Sequence, residues 1–206
     1  MGITNAEGKD DAISPVRILE AARVQIRRFG EAKTNIVDIA RALGTSHTTI
    51  YRHFKSKADV FDALVLSTMT DEQRLVSAYC SDDGPAAIRL TEFVATLNHF
   101  KVRRYAEDPE LFILYKRVVT ERPDIVVSYT QRMTSLIQQI IQQGINSGEF
   151  KIKNAEIAAG VVRDAVTIFV HPALVAEASR AGLNMERPLK YVMKTLIIAF
   201  TEGLTY

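Results

Sequence analysis

Little in this sequence invites a disulfide, a membrane span or a fibrous repeat. Cysteine occurs once in 206 residues, at Cys80, so no internal disulfide can form and a reducing compartment is expected. Nowhere do about 18 apolar residues run together, the length a helix needs to cross a bilayer. No apolar run follows Met1, and position 6 is Ala6 rather than the Ser or Thr that myristoylation requires. Neither a secretory signal nor an acyl anchor is expected. Ten glycines and six prolines are too few for a fibrous or low-complexity chain, and 47% hydrophobic with 24% charged residues suits a soluble globular protein. The expectation is a cytoplasmic protein of one large or two modest domains, with no membrane partner.

Signatures of catalysis are missing too. There is no glycine-rich phosphate loop, no His-Glu-x-x-His, no nucleophile elbow and no cofactor fingerprint. The nearest carboxylate group, Glu107, Asp108 and Glu110 around Pro109, reads as a helix start whose acids complement the helix dipole. His47 and His53 are six residues apart, on different faces of a helix, and no cysteine or carboxylate completes a metal site around them. Cys80 reads as a passive residue near a helix end. The expectation is no enzyme, no catalytic residue, no cofactor and no metal.

What the chain does have is a local excess of positive charge. Net charge is only +2, yet residues 15–59 hold Arg17, Arg23, Arg27, Arg28, Lys33, Arg41, Arg52, Lys55 and Lys57 against Glu20, Glu31, Asp38 and Asp59. An excess confined to one segment of a nearly neutral chain is what a polyanion-binding module attached to something else would show.

Almost everything else is helical pattern. Ser14 caps and Pro15 opens a first helix with Ile18, Leu19, Ala22, Ile26 and Phe29 on one face, closed by Gly30. A second starts after Asn35 and ends at Gly44. A third, capped by Thr45 or Ser46, reaches about Phe54. A fourth, capped by Ser56, runs to about Tyr79 with Val60, Phe61, Leu64 and Val65 inward. The run Ser81-Asp82-Asp83-Gly84-Pro85 breaks the chain. Five more helices follow: residues 86–106, a short one from Pro109, one from Pro123 to about Ser147 loosened and ended by Gly144 and Gly148, one over 154–178 bent at His171-Pro172, and one over 186–203. No strand alternation, low-complexity segment or internal repeat is present. The organisation expected is an arm over 1–13, a small helical domain over 14–56, a long helix over 56–79 and a C-terminal domain over 80–206.

The informative stretch is Asn35 to Lys57. Two short helices joined by Leu43-Gly44-Thr45-Ser46 form a helix-turn-helix layout. Ala40 is small enough for the helices to approach, and Gly44 can take the positive φ of the turn. Ile39, Leu43, Ile50 and Phe54 can share a core with the first helix. His47, Thr48, Tyr51 and Arg52 then lie outward, where the start of a recognition helix meets base edges in the major groove and hydroxyl, imidazole and guanidinium groups can bond bases or phosphates.

The residues Thr34-Asn35-Ile36-Val37-Asp38-Ile39-Ala40, then Leu43-Gly44-Thr45-Ser46, then Thr49-Ile50-Tyr51-Arg52-His53-Phe54-Lys55-Ser56-Lys57 resemble the DNA-binding domain of the TetR family. The Tyr-x-His-Phe-x-Ser-Lys run before a helix is far more specific than a bare helix-turn-helix. The resemblance covers about the first 65 residues in motif, and the rest in length and helical content. It implies an all-α fold: a three-helix head, a long fourth helix, and a C-terminal helical domain for ligand and dimer. It also implies a homodimeric repressor bound to a palindromic operator on double-stranded DNA. Tyr51 and Lys57 match phosphate-contacting positions; His47, Thr48 and Thr49 match base-facing ones, flanked by Thr45, Ser46, Arg52 and His53; Thr34 and Asn35 would meet the backbone. Val37 stands where relatives often carry a polar or charged residue, which lessens the expected role of the second helix in readout.

For the C-terminal domain the resemblance implies a small-molecule inducer of unread identity. Candidate lining residues are Phe93, Leu97, Phe100, Arg104, Phe112, Tyr115, Tyr129, Met133, Phe169 and His171, with Arg103, Arg104 and His171 able to orient an anionic or hydroxylated ligand. The expected dimer face combines Ala158, Val161, Val162 and Ala165 with Leu189, Val192, Met193, Leu196, Ile197 and Phe200; small Ala159 and Gly160 would allow close approach. An alternative is a DNA-organising protein controlled by a protein partner, without a small-molecule inducer.

Overall fold

The computed structural model describes residues 13–203. The expected arm lies outside the described residues, apart from its last position. Among the described residues there are ten helices and no strand: α1 Pro15–Lys33, α2 Ile36–Ala42, α3 His47–His53, α4 Lys57–Ser81, α5 Ala86–Glu107, α6 Pro109–Glu121, α7 Pro123–Asn146, α8 Ala155–Val170, α9 Pro172–Arg180 and α10 Glu186–Glu202. No single one is long and apolar enough to cross a membrane. They fall into two compact units, one of residues up to Thr68 with Asp108–Val118, the other of Met69–Glu107 and Val119 onward.

The first unit starts where its caps dictate. Ser14 Oγ accepts from Arg17 N at 3.4 Å and Pro15 takes the first turn. Ile18, Ala22 and Ile26, each four residues after the last, are fully buried. Regular helix stops at Gly30, whose φ is 75°, and one more turn reaches Lys33. Phe29, expected inward, is half exposed, with the Arg28 guanidinium 5.1 Å from its ring centroid. Helix α2 packs on α1, and α3 on α2.

Asp108–Val118 also belongs to this unit, whereas the sequence alone assigned it to the C-terminal domain. Two ion pairs show what holds it. Arg27 reaches Asp108 through two nitrogens at 2.6 Å, and Arg117 reaches Glu31 at 2.7 and 3.0 Å. Charge complementarity between segments some 80 residues apart leaves no trace in local periodicity.

In the second unit α5 packs on α7, α8, α9 and α10, and α7 packs on α8. Phe93, Val94, Ile140, Ile141, Ala159, Val162 and Phe200 form its fully buried heart. Helix α5 receives its cap from far away: Glu149 accepts from Ala86 N at 2.7 Å and Ala87 N at 2.8 Å. Buried Arg89 ties three segments together through Gly84 O, Tyr79 O and Gln143 Oε1.

The expected bent helix over 154–178 is two helices. His171 is extended (φ −76°, ψ 126°), and Pro172 opens α9 at 41° to α8. Proline drives the residue before it out of helical geometry, so the chain stops and restarts rather than bending. Gly144 was expected to loosen α7. Instead it lies inside the helix, buried, where a Cβ would overlap the Phe150 ring and meet Ala86 Cβ at 2.9 Å.

That close approach makes a prediction. Gly144→Ala should destabilise the protein by a net of about 1–2 kcal/mol, because overpacking outweighs the better helix propensity of alanine. Phe150→Leu added to it should recover part of the loss. Urea unfolding of the two variants checks this, and a Gly144→Ala protein as stable as the parent would contradict it.

Candidate nucleic-acid interface

The helix-turn-helix is fixed by two side-chain caps and one glycine. Asn35 Oδ1 accepts from Asp38 N at 3.1 Å, and Ser46 Oγ accepts from Thr49 N at 3.2 Å. Gly44 takes φ 65° between the helices, and Thr45 N returns to Ala40 O at 3.0 Å. Ile36, Ile39, Ala40 and Ile50 are buried beneath.

This geometry leaves His47, Thr48, Tyr51, Arg52 and His53 exposed on α3. Tyr51 is 47% exposed despite its aromatic ring. Its ring meets His47, one turn earlier on the helix, edge-on with 6.3 Å between centroids. Between Thr45 and Ala58 there is no acid at all. Three carboxylates of the segment are engaged by arginines, Glu20 with Arg23, Glu31 with Arg117 and Asp38 with Arg41, while Asp59 lies exposed in the first turn of α4. A solvent-facing helix start with hydroxyl, imidazole, phenol and guanidinium groups and no negative charge is chemically suited to a polyanion with readable edges.

Two expected contacts are corrected. Thr34 is 1% exposed and its hydroxyl donates to Gly30 O at 2.8 Å. Thr49 is 2% exposed and its hydroxyl lies 3.0 Å from Ser46 Oγ. Both threonines build the motif from inside rather than facing outward. Asn35 and Ser46 spend their side-chain oxygens as caps, although both residues remain at the surface. Lys57 donates to Glu31 O at 3.2 Å and stands 5.1 Å from the Phe61 ring centroid, so its ammonium closes the end of α1. Sequence reasoning also missed an open recess of about 400 Å³ on the same unit, walled by Arg28, Phe29, Lys33 and Arg41. Its only sequence signal is the local basic excess.

The residues expected around a ligand are not gathered into one unit. Phe93, Leu97, Met133 and Phe169 belong to the apolar core of the second unit, with Tyr129 packed partly against it. Phe100 lies beneath Arg104, 5.4 Å from guanidinium carbon to ring centroid, and His171 sits at the joint of α8 and α9. Phe112 and Tyr115 fall in the first unit, their rings 6.3 Å apart. Two of the three acids around Pro109 are taken up by ion pairs: Asp108 by Arg27, and Glu107 by Arg103 at 2.9 Å.

Half of the expected dimer face is internal. Ala158, Val162, Leu189, Met193 and Phe200 are at most 4% exposed and form this chain's own core. Val161, Ala165, Val192, Leu196 and Ile197 are half buried. The apolar groups that do reach solvent on these helices are Ile157 and Ile168 on α8 and Tyr191 and Ile198 on α10. Period-3.6 patterning marks an apolar face but does not say whether its own chain or another covers it.

Comparisons with known proteins agree with this architecture. The family described as "Bacterial regulatory proteins, tetR family" matches residues 18–64, and "Tetracyclin repressor-like, C-terminal domain" matches residues 86–187. The uncharacterized HTH-type transcriptional regulator YhgD of Bacillus subtilis (strain 168) is 24% identical over 152 residues, covering 70% of this chain and 76% of that protein. The HTH-type transcriptional regulator TtgR of Pseudomonas putida is 36% identical over 67 residues, 32% of each chain. Among solved structures, a transcriptional regulator from Pseudomonas aeruginosa PAO1 aligns with TM-score 0.68 and 15% identity, covering 96% of this chain and 97% of its own. The FadR regulator of Bacillus subtilis, solved with stearoyl-CoA, aligns with TM-score 0.62 and 18% identity, covering 93% and 100%. At such identities these structures speak for the fold. The family matches, one spanning the capped helix-turn-helix and one over the C-terminal helices, establish that this chain belongs to the TetR family of helix-turn-helix transcriptional regulators.

Proposed function

We propose that the protein is a homodimeric repressor that binds a palindromic operator through α3 and is released by a small molecule taken up in the second unit. The observation that carries the DNA reading is the acid-free outward side of α3, with His47, Thr48, Tyr51 and Arg52 exposed on a helix held by Ser46 and Gly44. In this reading His47 and Thr48 meet base edges, where one good contact discriminates by about 1–3 kcal/mol. Tyr51, Arg52, His53 and Lys57 meet phosphates, and Asn35 and Thr45 lie along the backbone. For Lys57 this means exchanging Glu31 O for a phosphate. Thr34 and Thr49 hold the frame.

Dimerisation is supported by the solvent-facing Ile157, Ile168, Tyr191 and Ile198, four large apolar side chains on the two helices α8 and α10. A two-fold dimer also suits a palindrome whose half-sites lie about 34–36 Å apart. Ligand control is supported by the fold shared with a regulator solved in complex with stearoyl-CoA. A ligand that favours one of two states with a coupling of about 1–3 kcal/mol changes operator affinity about 5–150-fold.

Selection from a random duplex pool tests the whole reading, which requires enrichment of a two-fold symmetric site. On the selected duplex, Lys57→Ala should weaken binding to all sequences alike and lower the salt slope by about one. A slope equal to the parent's would remove Lys57 from the phosphate contacts. His47→Ala and Thr48→Ala should relax base preference in repeated selections at one or two positions per half-site; an unchanged consensus would place readout elsewhere. The double variant Ile157→Glu/Ile198→Glu alters two exposed positions and should sediment as a monomer at concentrations where the parent sediments as a dimer. A variant that stays dimeric would reject this face.

A further inference from the structure

Within the second unit, charged groups occupy positions that the helical pattern reserves for apolar ones. Lys101 continues the buried series Phe93 and Leu97 on α5 in steps of four, Glu72 precedes buried Val76 by one turn on α4, and Tyr129 precedes Met133 by one turn on α7. The Lys101 and Glu72 side chains are 3% and 1% exposed. Lys101 Nζ donates to both Glu72 oxygens, at 2.9 and 3.0 Å, and stands 5.6 Å from the Tyr129 ring centroid. The Tyr129 hydroxyl donates to Glu72 Oε2 at 2.5 Å.

Beside this cluster is an unspent polar atom. His171 Nδ1 is buried and has no hydrogen-bond partner among the described residues. Burial first, and the Lys101 charge second, push the His171 imidazole below its usual range, so it rests neutral. Asn98, one turn before Lys101, donates to Phe169 O at 2.8 Å, two residues before His171. Asn98 and Phe169 in turn border a cavity of about 260 Å³ whose other walls include Val102, Ile168, Val175 and Leu183. The cavity is partly open, with Val102, Ile168 and Leu183 reaching solvent and His99, Ser179, Asn184 and Glu186 also on its walls; Asn98 and Phe169 are its wall residues nearest in the chain to Lys101 and His171.

Burying an ion pair seldom stabilises a fold more than apolar residues of the same volume, so its presence here asks for another reason. We propose that the cluster and the cavity form one site for an amphiphile with a single anionic, carboxylate-like head. The tail occupies the cavity, and the head lies between Lys101 and the Nδ1–H of His171, taking Lys101 from Glu72. A cationic head would meet Lys101, and a neutral one would leave the Glu72 pair in place. Glu72 sits on α4, the helix that follows the recognition helix in sequence, so competition for Lys101 changes what holds α4. The proposal rests on the ligand-controlled reading above and adds the class of ligand and the residues that read it.

Decanoate, decanol and decylammonium share one tail and differ in head charge. Each is added to the full chain, and melting temperature and release of the selected duplex are measured. Decanoate should raise the melting temperature and weaken DNA binding at least about 5-fold, and the other two should do neither. The double variant Glu72→Gln/Lys101→Met removes both charges together, so no lone charge stays buried. It should still bind DNA while decanoate affinity falls at least about tenfold. His171→Leu should also lower decanoate affinity, and serves alone if the double variant does not fold. Equal responses to decanol or decylammonium, a decanoate response untouched in the variants, or no decanoate response from a parent that binds DNA would each overturn the site. If the parent binds no DNA, the operator reading fails instead, and the melting response alone decides this site.

Discussion

A helix of seven residues does not persist in water by itself, because the cost of its first turn is recovered by too few hydrogen bonds. Helices α2 and α3 have seven residues each. Their existence depends on what lies under and before them: Ile39 and Ile50 fully buried, Ala40 nearly so, and the Asn35 and Ser46 caps. Each buried isoleucine contributes about 1.5–3 kcal/mol and each cap about 0.5–2 kcal/mol. The outward row His47, Thr48, Tyr51 and Arg52 is therefore presented by a frame whose caps and buried apolar residues are other side chains. Thr34 and Thr49 belong to the frame because a buried hydroxyl must find a partner, and both do so within three or four residues.

Charge in the first unit is sorted rather than merely plentiful. The acids Glu20, Glu31 and Asp38 are drawn into pairs with arginines away from α3, and Asp108 of the α6 segment is drawn to Arg27. Such partly exposed pairs contribute about 0–1 kcal/mol each. Their effect is to neutralise these four carboxylates, and α3 itself carries no acid.

The second unit treats its polar groups in two ways. Arg89 is buried but bonded to two carbonyls and an amide, which is what a purely structural arginine needs. Around Lys101 the bonds run between opposite charges, and the neighbouring His171 nitrogen is left without one. The first arrangement closes on itself; the second leaves His171 Nδ1 unsatisfied among the described residues.

The helix-turn-helix, its caps at Ser14, Asn35, Ser46 and Ser56 and the inward face of α4 were legible in the chain itself, because capping and 3.6-residue periodicity act over a few neighbours. Local rules could not say that Ala158, Val162, Met193 and Phe200 face their own core, that Gly144 accommodates Phe150, or that Asp108–Val118 joins the first unit. Nor could they bring Glu72, Lys101 and Tyr129 within bonding distance. Those facts depend on which distant segments meet, and an apolar stripe or a lone charge carries no record of its partner. Local order thus determined most of the elements and the outward row of α3, and only tertiary packing decided which faces are closed and which charges are paired.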